Sequence, residues 1–159
     1  MKNGMEILLI EDGSEDVEIT LRAFQKYDLA NKVHVVRDGE EALECLFGRG
    51  RYAGRGAACS NIRLILLDLK LPKVDGSEVL QQCKSDPRTK NIPVVVLTSS
   101  KEERDLTDTY NLGVNSYIVK PLNFSQFTEA IRQLSMYWMG LNQLPPEATS
   151  VRIKAGGPQ

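Results

Sequence analysis

The feature that most constrains the fold is a fivefold alternation of short aliphatic runs with amphipathic segments. Apolar residues in the intervening segments recur at steps of three and four, which is typical of helices that cover one face of a sheet. Strands that are apolar throughout are buried on both faces, and strands of this kind separated by helices form parallel sheets. The alternation therefore predicts an α/β fold with a doubly wound, five-stranded parallel sheet. The predicted strands are residues 7–10, 33–36, 64–67, 93–97 and 116–119.

The predicted helices have recognisable beginnings. The first one starts with Glu15 and Asp16, which suit the positive end of a helix dipole. The other four start at a residue that can cap the helix, followed three positions later by Glu or Gln. Gly113 is predicted to end the fourth helix. The capping pairs are Asp38 with Glu41, Asp75 with Glu78, Ser100 with Glu103, and Asn123 with Gln126.

Composition excludes several classes of function. The chain has 159 residues, a net charge of −1 and interspersed acids and bases, so it indicates one domain without a basic surface for nucleic acid. No apolar run approaches the roughly 20 residues of a membrane span. The three cysteines form no CxxC pair and there is no signal peptide, which favours a cytoplasmic protein. A single histidine, His34, leaves little room for catalysis by several imidazoles, and we expect it to be structural.

Two segments depart from the alternation. The connection over residues 48–61 is longer than the usual connection of about 2–6 residues, and its sequence is GRGRYAGRGAACSN. We interpret it as an insertion that is either functional or disordered. From Pro145 onward Pro, Gly and Ala predominate. The predicted division is a domain over residues 5–140 and a flexible tail over residues 141–159.

Polar residues collect where the predicted strands end. Glu11 and Asp12 follow the first strand, Asp68 the third, Thr98 ends the fourth, and Lys120 follows the fifth. The carboxyl ends of the strands form the ligand-binding edge of an open α/β sheet. If the strand order is 2-1-3-4-5, the first and third strands are neighbours. The three carboxylates are then expected to converge.

This combination of side chains has a specific chemistry. Three carboxylates in one cleft repel one another unless a cation joins them, and Mg²⁺ suits a few carboxylates with water and phosphate. Thr98 adds a hydroxyl donor, and the amides after it lie near a helix N-terminus, where anions are favoured. Asp68 is then the candidate nucleophile, because aspartyl phosphates are established covalent intermediates. The predicted site would hold a phosphoryl group on Asp68 beside Mg²⁺.

Five features in four successive motifs resemble the receiver domain of bacterial response regulators, which has a flavodoxin-like fold. They are the acidic pair of LLIEDG, the Asp of LLDLKLPKVDG, LTSS, and the Tyr and Lys of YIVKP, within about Met5–Met139. The resemblance implies that Asp68 accepts a phosphoryl group from a histidine of a sensor kinase. It also implies that Asp12 binds Mg²⁺ directly, that Glu11 assists, and that the backbone carbonyl of Lys70 completes the metal shell. Many relatives have Asp where this chain has Glu11.

The same resemblance assigns the remaining site residues. Thr98, Ser99 and Lys120 would bind the phosphoryl oxygens, and the peptide between Lys120 and Pro121 would be cis. Thr98 and Tyr117 would form the switch pair, in which the hydroxyl moves to the phosphoryl group and the ring turns inward.

The insertion and the ending QLSMYWMGLNQLPP resemble single-domain regulators that partner phytochrome-type sensor kinases. The implied protein is a stand-alone phosphoacceptor, not an enzyme acting on a separate substrate, that signals to a downstream protein. The apolar residues of the last helix, from Phe124 to Trp138, are expected to lie mostly in the core, but with Tyr137 and Met139 beside them they leave apolar surface. We expect a homodimer whose interface is built from the fourth and fifth helices.

Two other functions remain open at this point. A hydrolase of the haloacid-dehalogenase type also phosphorylates an aspartate, but it needs a second acid two positions later, where this chain has Lys70. A receiver-like module that binds partners without phosphorylation would need no intact acceptor set, and here none of that set is missing.

Overall fold

Five parallel strands form one sheet in a computed structural model, which describes residues 5–54, 61–99, 103–120 and 123–143. The order along the sheet is β2-β1-β3-β4-β5, and each neighbouring pair is parallel. Both the predicted fold class and the predicted order are therefore confirmed. The strands are β1 (Ile7–Ile10), β2 (Val33–Val36), β3 (Leu64–Leu67), β4 (Val94–Thr98) and β5 (Ser116–Val119).

Helices follow the strands in alternation. Asp38 caps the second helix by accepting from the Glu41 amide at 2.7 Å, and Asn123 caps the fifth by accepting from the Gln126 amide at 2.8 Å. Ser100, predicted to cap the fourth, lies outside the described residues. The helices are α1 (Ser14–Gln25), α2 (Gly39–Phe47), α3 (Gly76–Ser85), α4 (Glu103–Asn111) and α5 (Phe124–Leu134).

Successive residues of each central strand point to opposite faces, so the sheet has a core on each side. Leu8 and Ile10 of β1 pack on the side of α2 and α3. Ile7 and Leu9 pack on the side of α1 and α5. This double burial explains why the strands are apolar without alternation. It also leaves the strand ends as the place where polar groups can gather.

Part of the insertion is ordered against α2 and β2. Residues Gly50–Tyr52 form a 3₁₀ turn, and the Tyr52 side chain is buried. The Tyr52 hydroxyl donates to Glu41 at 3.1 Å and lies 2.6 Å from Nε2 of His34. This contact supports the structural role predicted for His34. Residues 55–60 of the insertion lie outside the described residues.

The last helix changes character at Ser135. The apolar spacing predicted one helix that continues through Trp138, but Ser135–Leu141 form a π-helix. The wider turn still packs Trp138 and Met139 against the core, while Met136 and Tyr137 are exposed. Among the described residues, no helix is long and apolar enough to cross a membrane.

Candidate functional site

The carboxyl ends of β1 and β3 bring three acidic side chains together. The two strands pair in register at Ile10 and Leu67, and the Asp68 amide donates to the Ile10 carbonyl at 3.0 Å. Glu11 and Asp68 therefore leave the sheet side by side. Ligand oxygens of Glu11, Asp12 and Asp68 all lie within 4.8 Å of one another. The convergence predicted from the strand order is present.

The electrostatics of this cluster favour a cation. Glu11 and Asp68 are 4% and 9% exposed, whereas Asp12 is open to solvent. Burial raises the pKa of Glu11 to about 7 against the lowering effect of the hydrogen bond from Lys120, and the charge of Asp68 adds to the rise. Several hard oxygen donors, two of them buried and one facing water, fit a divalent cation that keeps some of its water ligands.

Among the described residues, Lys120 is the one whose cationic side chain reaches the acidic cluster. Its amide donates to the Thr98 carbonyl at 2.7 Å, which extends the pairing of β4 and β5 by one residue. Its ammonium lies 2.8 Å from Glu11, 2.8 Å from Asp16 and 3.5 Å from Asp68. Burial alone would lower the pKa of Lys120, but hydrogen bonds to Asp16 and Glu11 outweigh it and the pKa is raised. The side chain therefore stays charged.

Asp16 belongs to the site, although the sequence was interpreted only as placing it at a helix start. It lies in the first turn of α1, and its carboxylate accepts from Lys120 at 2.8 Å. An acid in a first helical turn already has a local explanation in the helix dipole, so the sequence pattern carries no separate signal for this contact.

The other predicted residues lie around this edge. Thr98 is fully buried at the end of β4, Ser99 is exposed, and Tyr117 is half-buried on β5, where it pairs with Val96. Pro121, and with it the predicted cis peptide, lies outside the described residues. Lys70 is exposed, and its amide donates to Asp68 Oδ1 at 3.3 Å.

Two glycines that were not predicted from the sequence as functional, Gly39 and Gly76, contact the loop after β3 through their backbones. The Gly76 amide donates to the Leu69 carbonyl at 3.0 Å, and a Cβ on Gly76 would stand 2.5 Å from the carbonyl oxygen of Asp68. The Gly39 amide donates to the Pro72 carbonyl at 3.2 Å, and a Cβ there would overlap the backbone of Val74. The starts of α2 and α3 therefore touch the loop directly, which keeps Asp68 in place.

Comparisons with known proteins agree with this geometry. Residues 7–132 match the family model of the response regulator receiver domain. The probable methanogenesis regulatory protein FilR2 of Methanothrix harundinacea is 41% identical over 142 residues, which are 89% of this chain and 88% of that protein.

Two solved structures are similar over nearly their whole length. The phosphorylated cyanobacterial phytochrome response regulator RcpA is 42% identical with a TM-score of 0.81, covering 89% of this chain and 98% of that one. The Mn²⁺-bound form of response regulator Rcp1, a protein of Synechocystis sp., is 35% identical with a TM-score of 0.79, covering 89% and 99%.

Proposed function

Since the chain belongs to the response regulator receiver domain family, we propose that it accepts a phosphoryl group on Asp68 from a histidine of a sensor kinase. The observation that carries the proposal is the surrounding of Asp68. Its buried carboxylate lies within 4.8 Å of ligand oxygens of Glu11 and Asp12 and 3.5 Å from the ammonium of Lys120. The protein is a signalling protein, and the only reaction proposed for it is the gain and loss of its own phosphoryl group.

The transfer converts one phosphoramidate into one acyl phosphate. An oxygen of the ionised Asp68 carboxylate attacks the phosphorus of the kinase phosphohistidine and forms a P–O bond. The P–N bond breaks, its electron pair goes to the imidazole nitrogen, and that nitrogen takes a proton from solvent. Attack of water on the same phosphorus later releases phosphate and restores the carboxylate. Positioning and charge neutralisation are the main contributions that such a transfer requires from a protein.

We propose Mg²⁺ as the metal, held by the carboxylates of Glu11, Asp12 and Asp68 and by the backbone carbonyl of Lys70. The converging oxygens support this assignment, as does the Mn²⁺-bound form of Rcp1. When bound, Mg²⁺ neutralises charge on the phosphoryl oxygens. Lys120 neutralises further charge on the same oxygens.

The signal is proposed to leave through Thr98 and Tyr117. Thr98, Ser99 and Lys120 would bind the phosphoryl oxygens, and movement of the buried Thr98 hydroxyl would open space into which the half-buried Tyr117 ring turns. The peptide between Lys120 and Pro121 is proposed to be cis. We propose residues 5–140 as the receiver domain, and the tail predicted over residues 141–159 lies, from residue 144 onward, outside the described residues.

A phytochrome-type sensor kinase is the proposed partner. RcpA, which is 42% identical, is described as a phytochrome response regulator and supports this choice. We propose that the phosphorylated form signals through protein contacts and forms a homodimer. Large apolar side chains exposed on α4, α5 and the π-helix support an interface there. They are Leu106, Tyr110, Phe124, Met136, Tyr137 and Leu141.

Phosphorylation by a small donor tests the central claim. Incubation with Mg²⁺ and acetyl phosphate, followed by intact-mass measurement, should add one phosphoryl group to the wild type and none to Asp68→Asn. Asp108→Asn removes an exposed acid of α4 and should be labelled like the wild type. Equal labelling of Asp68→Asn and the wild type would refute the assignment of Asp68.

A further inference from the structure

Lys120 is bound more closely by two other carboxylates than by that of Asp68. Its ammonium is 2.8 Å from both Glu11 Oε1 and Asp16 Oδ2, but 3.5 Å from Asp68 Oδ2. A charge-assisted hydrogen bond is normally about 2.7–2.9 Å long. In this arrangement the lysine therefore bonds mainly to Glu11 and Asp16.

Asp16 stands apart from the other acids of the site. It comes from a helix rather than from a strand end, and it is not in the group whose oxygens converge within 4.8 Å. Its side chain is 48% exposed, whereas that of Glu11 is 5% exposed. The ion pair of Lys120 with Asp16 is therefore more screened by water, and it is the easier of the two to break.

We propose that Asp16 is a positioning residue that holds Lys120 away from Asp68 until a phosphoryl group arrives. This inference rests on the proposed function, because it concerns the same transfer. A phosphoryl dianion on Asp68 competes with Asp16 for the ammonium of Lys120. The strength of the pair between Asp16 and Lys120 therefore sets part of the affinity of the site for a phosphoryl group.

Removing the charge of Asp16 should favour the phosphoryl-bound state. In Asp16→Asn the side chain keeps its size, but the lysine loses one anionic competitor. We expect the phosphoryl analogue beryllofluoride to bind about two- to fivefold more tightly, which is the size of a largely screened ion pair. Part of any gain could come from direct repulsion between Asp16 and the analogue. Lys120→Met separates that effect, since it removes the group through which Asp16 is proposed to act.

The experiment is a double-mutant cycle on the full chain. Beryllofluoride affinity is measured by calorimetry at saturating Mg²⁺ for the wild type, Asp16→Asn, Lys120→Met and the double variant. Glu15→Gln is the matched control, because it removes an exposed acid from the same turn of α1. Urea unfolding of each variant verifies that it is folded.

We expect Asp16→Asn to bind beryllofluoride more tightly than the wild type. Glu15→Gln should show no such gain, and most of the gain should be lost in the Lys120→Met background. Equal or weaker binding by Asp16→Asn would overturn this inference alone, as would an equal gain in the Lys120→Met background. Failure of the wild type to bind the analogue would overturn the proposed function and this inference together.

Discussion

Replacing Asp68 with Asn should make the metal-free protein more stable, although it removes one ion pair. The Asp68 carboxylate is 3.5 Å from the Lys120 ammonium, which attracts it. Its oxygens also lie within 4.8 Å of ligand oxygens of Glu11 and Asp12, which repel it. Asn can keep the hydrogen bond from the Lys70 amide, because that amide donates to a single oxygen, Oδ1. The substitution therefore removes the charge and, at the other oxygen, the long hydrogen bond that Oδ2 accepts from the Lys120 ammonium at 3.5 Å.

The size of the effect follows from these distances. With an effective dielectric constant of about 20, the attraction to Lys120 at 3.5 Å is about 5 kcal/mol, and each repulsion, at 4.8 Å or less, is at least about 3.5 kcal/mol. Two repulsions exceed one attraction by at least about 2 kcal/mol. Asp12 is exposed, so water screens its share, and we expect a net gain of about 1 kcal/mol in the free energy of unfolding.

Urea unfolding in EDTA at pH 8 measures this gain, because Glu11, with a pKa of about 7, is then mostly ionised. Saturating Mg²⁺ should reverse the order of stability. The wild type gains RT ln(1 + [Mg²⁺]/Kd), about 2.7 kcal/mol at a hundredfold excess over Kd, and Asp68→Asn gains less. Asp108→Asn, whose side chain is 60% exposed, should differ from the wild type by no more than about 0.5 kcal/mol. If Asp68→Asn were less stable in EDTA, or gained as much from Mg²⁺, the repulsion argument would be wrong.

Two further substitutions test the packing around the site. Gly76→Ala should lower the free energy of unfolding by about 1–3 kcal/mol, because its Cβ would stand 2.5 Å from the Asp68 carbonyl oxygen, and it should also slow labelling by acetyl phosphate. Tyr52→Phe should cost about 0.5–1.5 kcal/mol in urea unfolding, because it removes the hydrogen bond that the hydroxyl donates to Glu41 and its contact with Nε2 of His34. Labelling of Asp68 should be unchanged in this second variant.

Each of these variants has a control in the same chain. Gly140→Ala has open space around its Cβ and should retain both stability and labelling. Tyr110→Phe removes a hydroxyl from a side chain that is 50% exposed and should leave stability unchanged. A Gly76→Ala protein as stable and as readily labelled as Gly140→Ala would contradict the close packing of α3 on the loop. Equal stability of Tyr52→Phe and Tyr110→Phe would contradict the role given to the Tyr52 hydroxyl.

The sheet and the acidic cluster were predictable because each rests on a local pattern. Strands buried on both faces must be apolar, and polar residues at their carboxyl ends share one edge. Only the strand order was then needed to bring Glu11 and Asp68 together. The contact of Asp16 with Lys120 joins residues 104 positions apart, so no local pattern contains both of them. The helix dipole alone already explains an acid in a first helical turn. The sequence pattern therefore could not distinguish a helix-end acid from a partner of the lysine.

The same limit applies to the insertion and to the end of the last helix. A Gly- and Arg-rich stretch predicts a loop, and the burial of Tyr52 depends on Glu41 and His34, which stand in other elements. Steps of three and four fit an α-helix through Trp138. The π-helix from Ser135 keeps Trp138 and Met139 packed on the core. Because the packed residues are the same, the spacing of apolar residues does not reveal the wider turn.

The strand order also explains why a lysine completes the site. β5 is separated from β3 by β4, and neighbouring strands are about 4.8 Å apart. A cation that starts on β5 and reaches Asp68 must therefore pass the end of β4, which the four-carbon stem of Lys120 allows. The carbonyl of Thr98, the last residue of β4, accepts from the Lys120 amide at 2.7 Å, so the lysine side chain starts beside the end of β4. The order of the sheet thus determines the length that the cation must have.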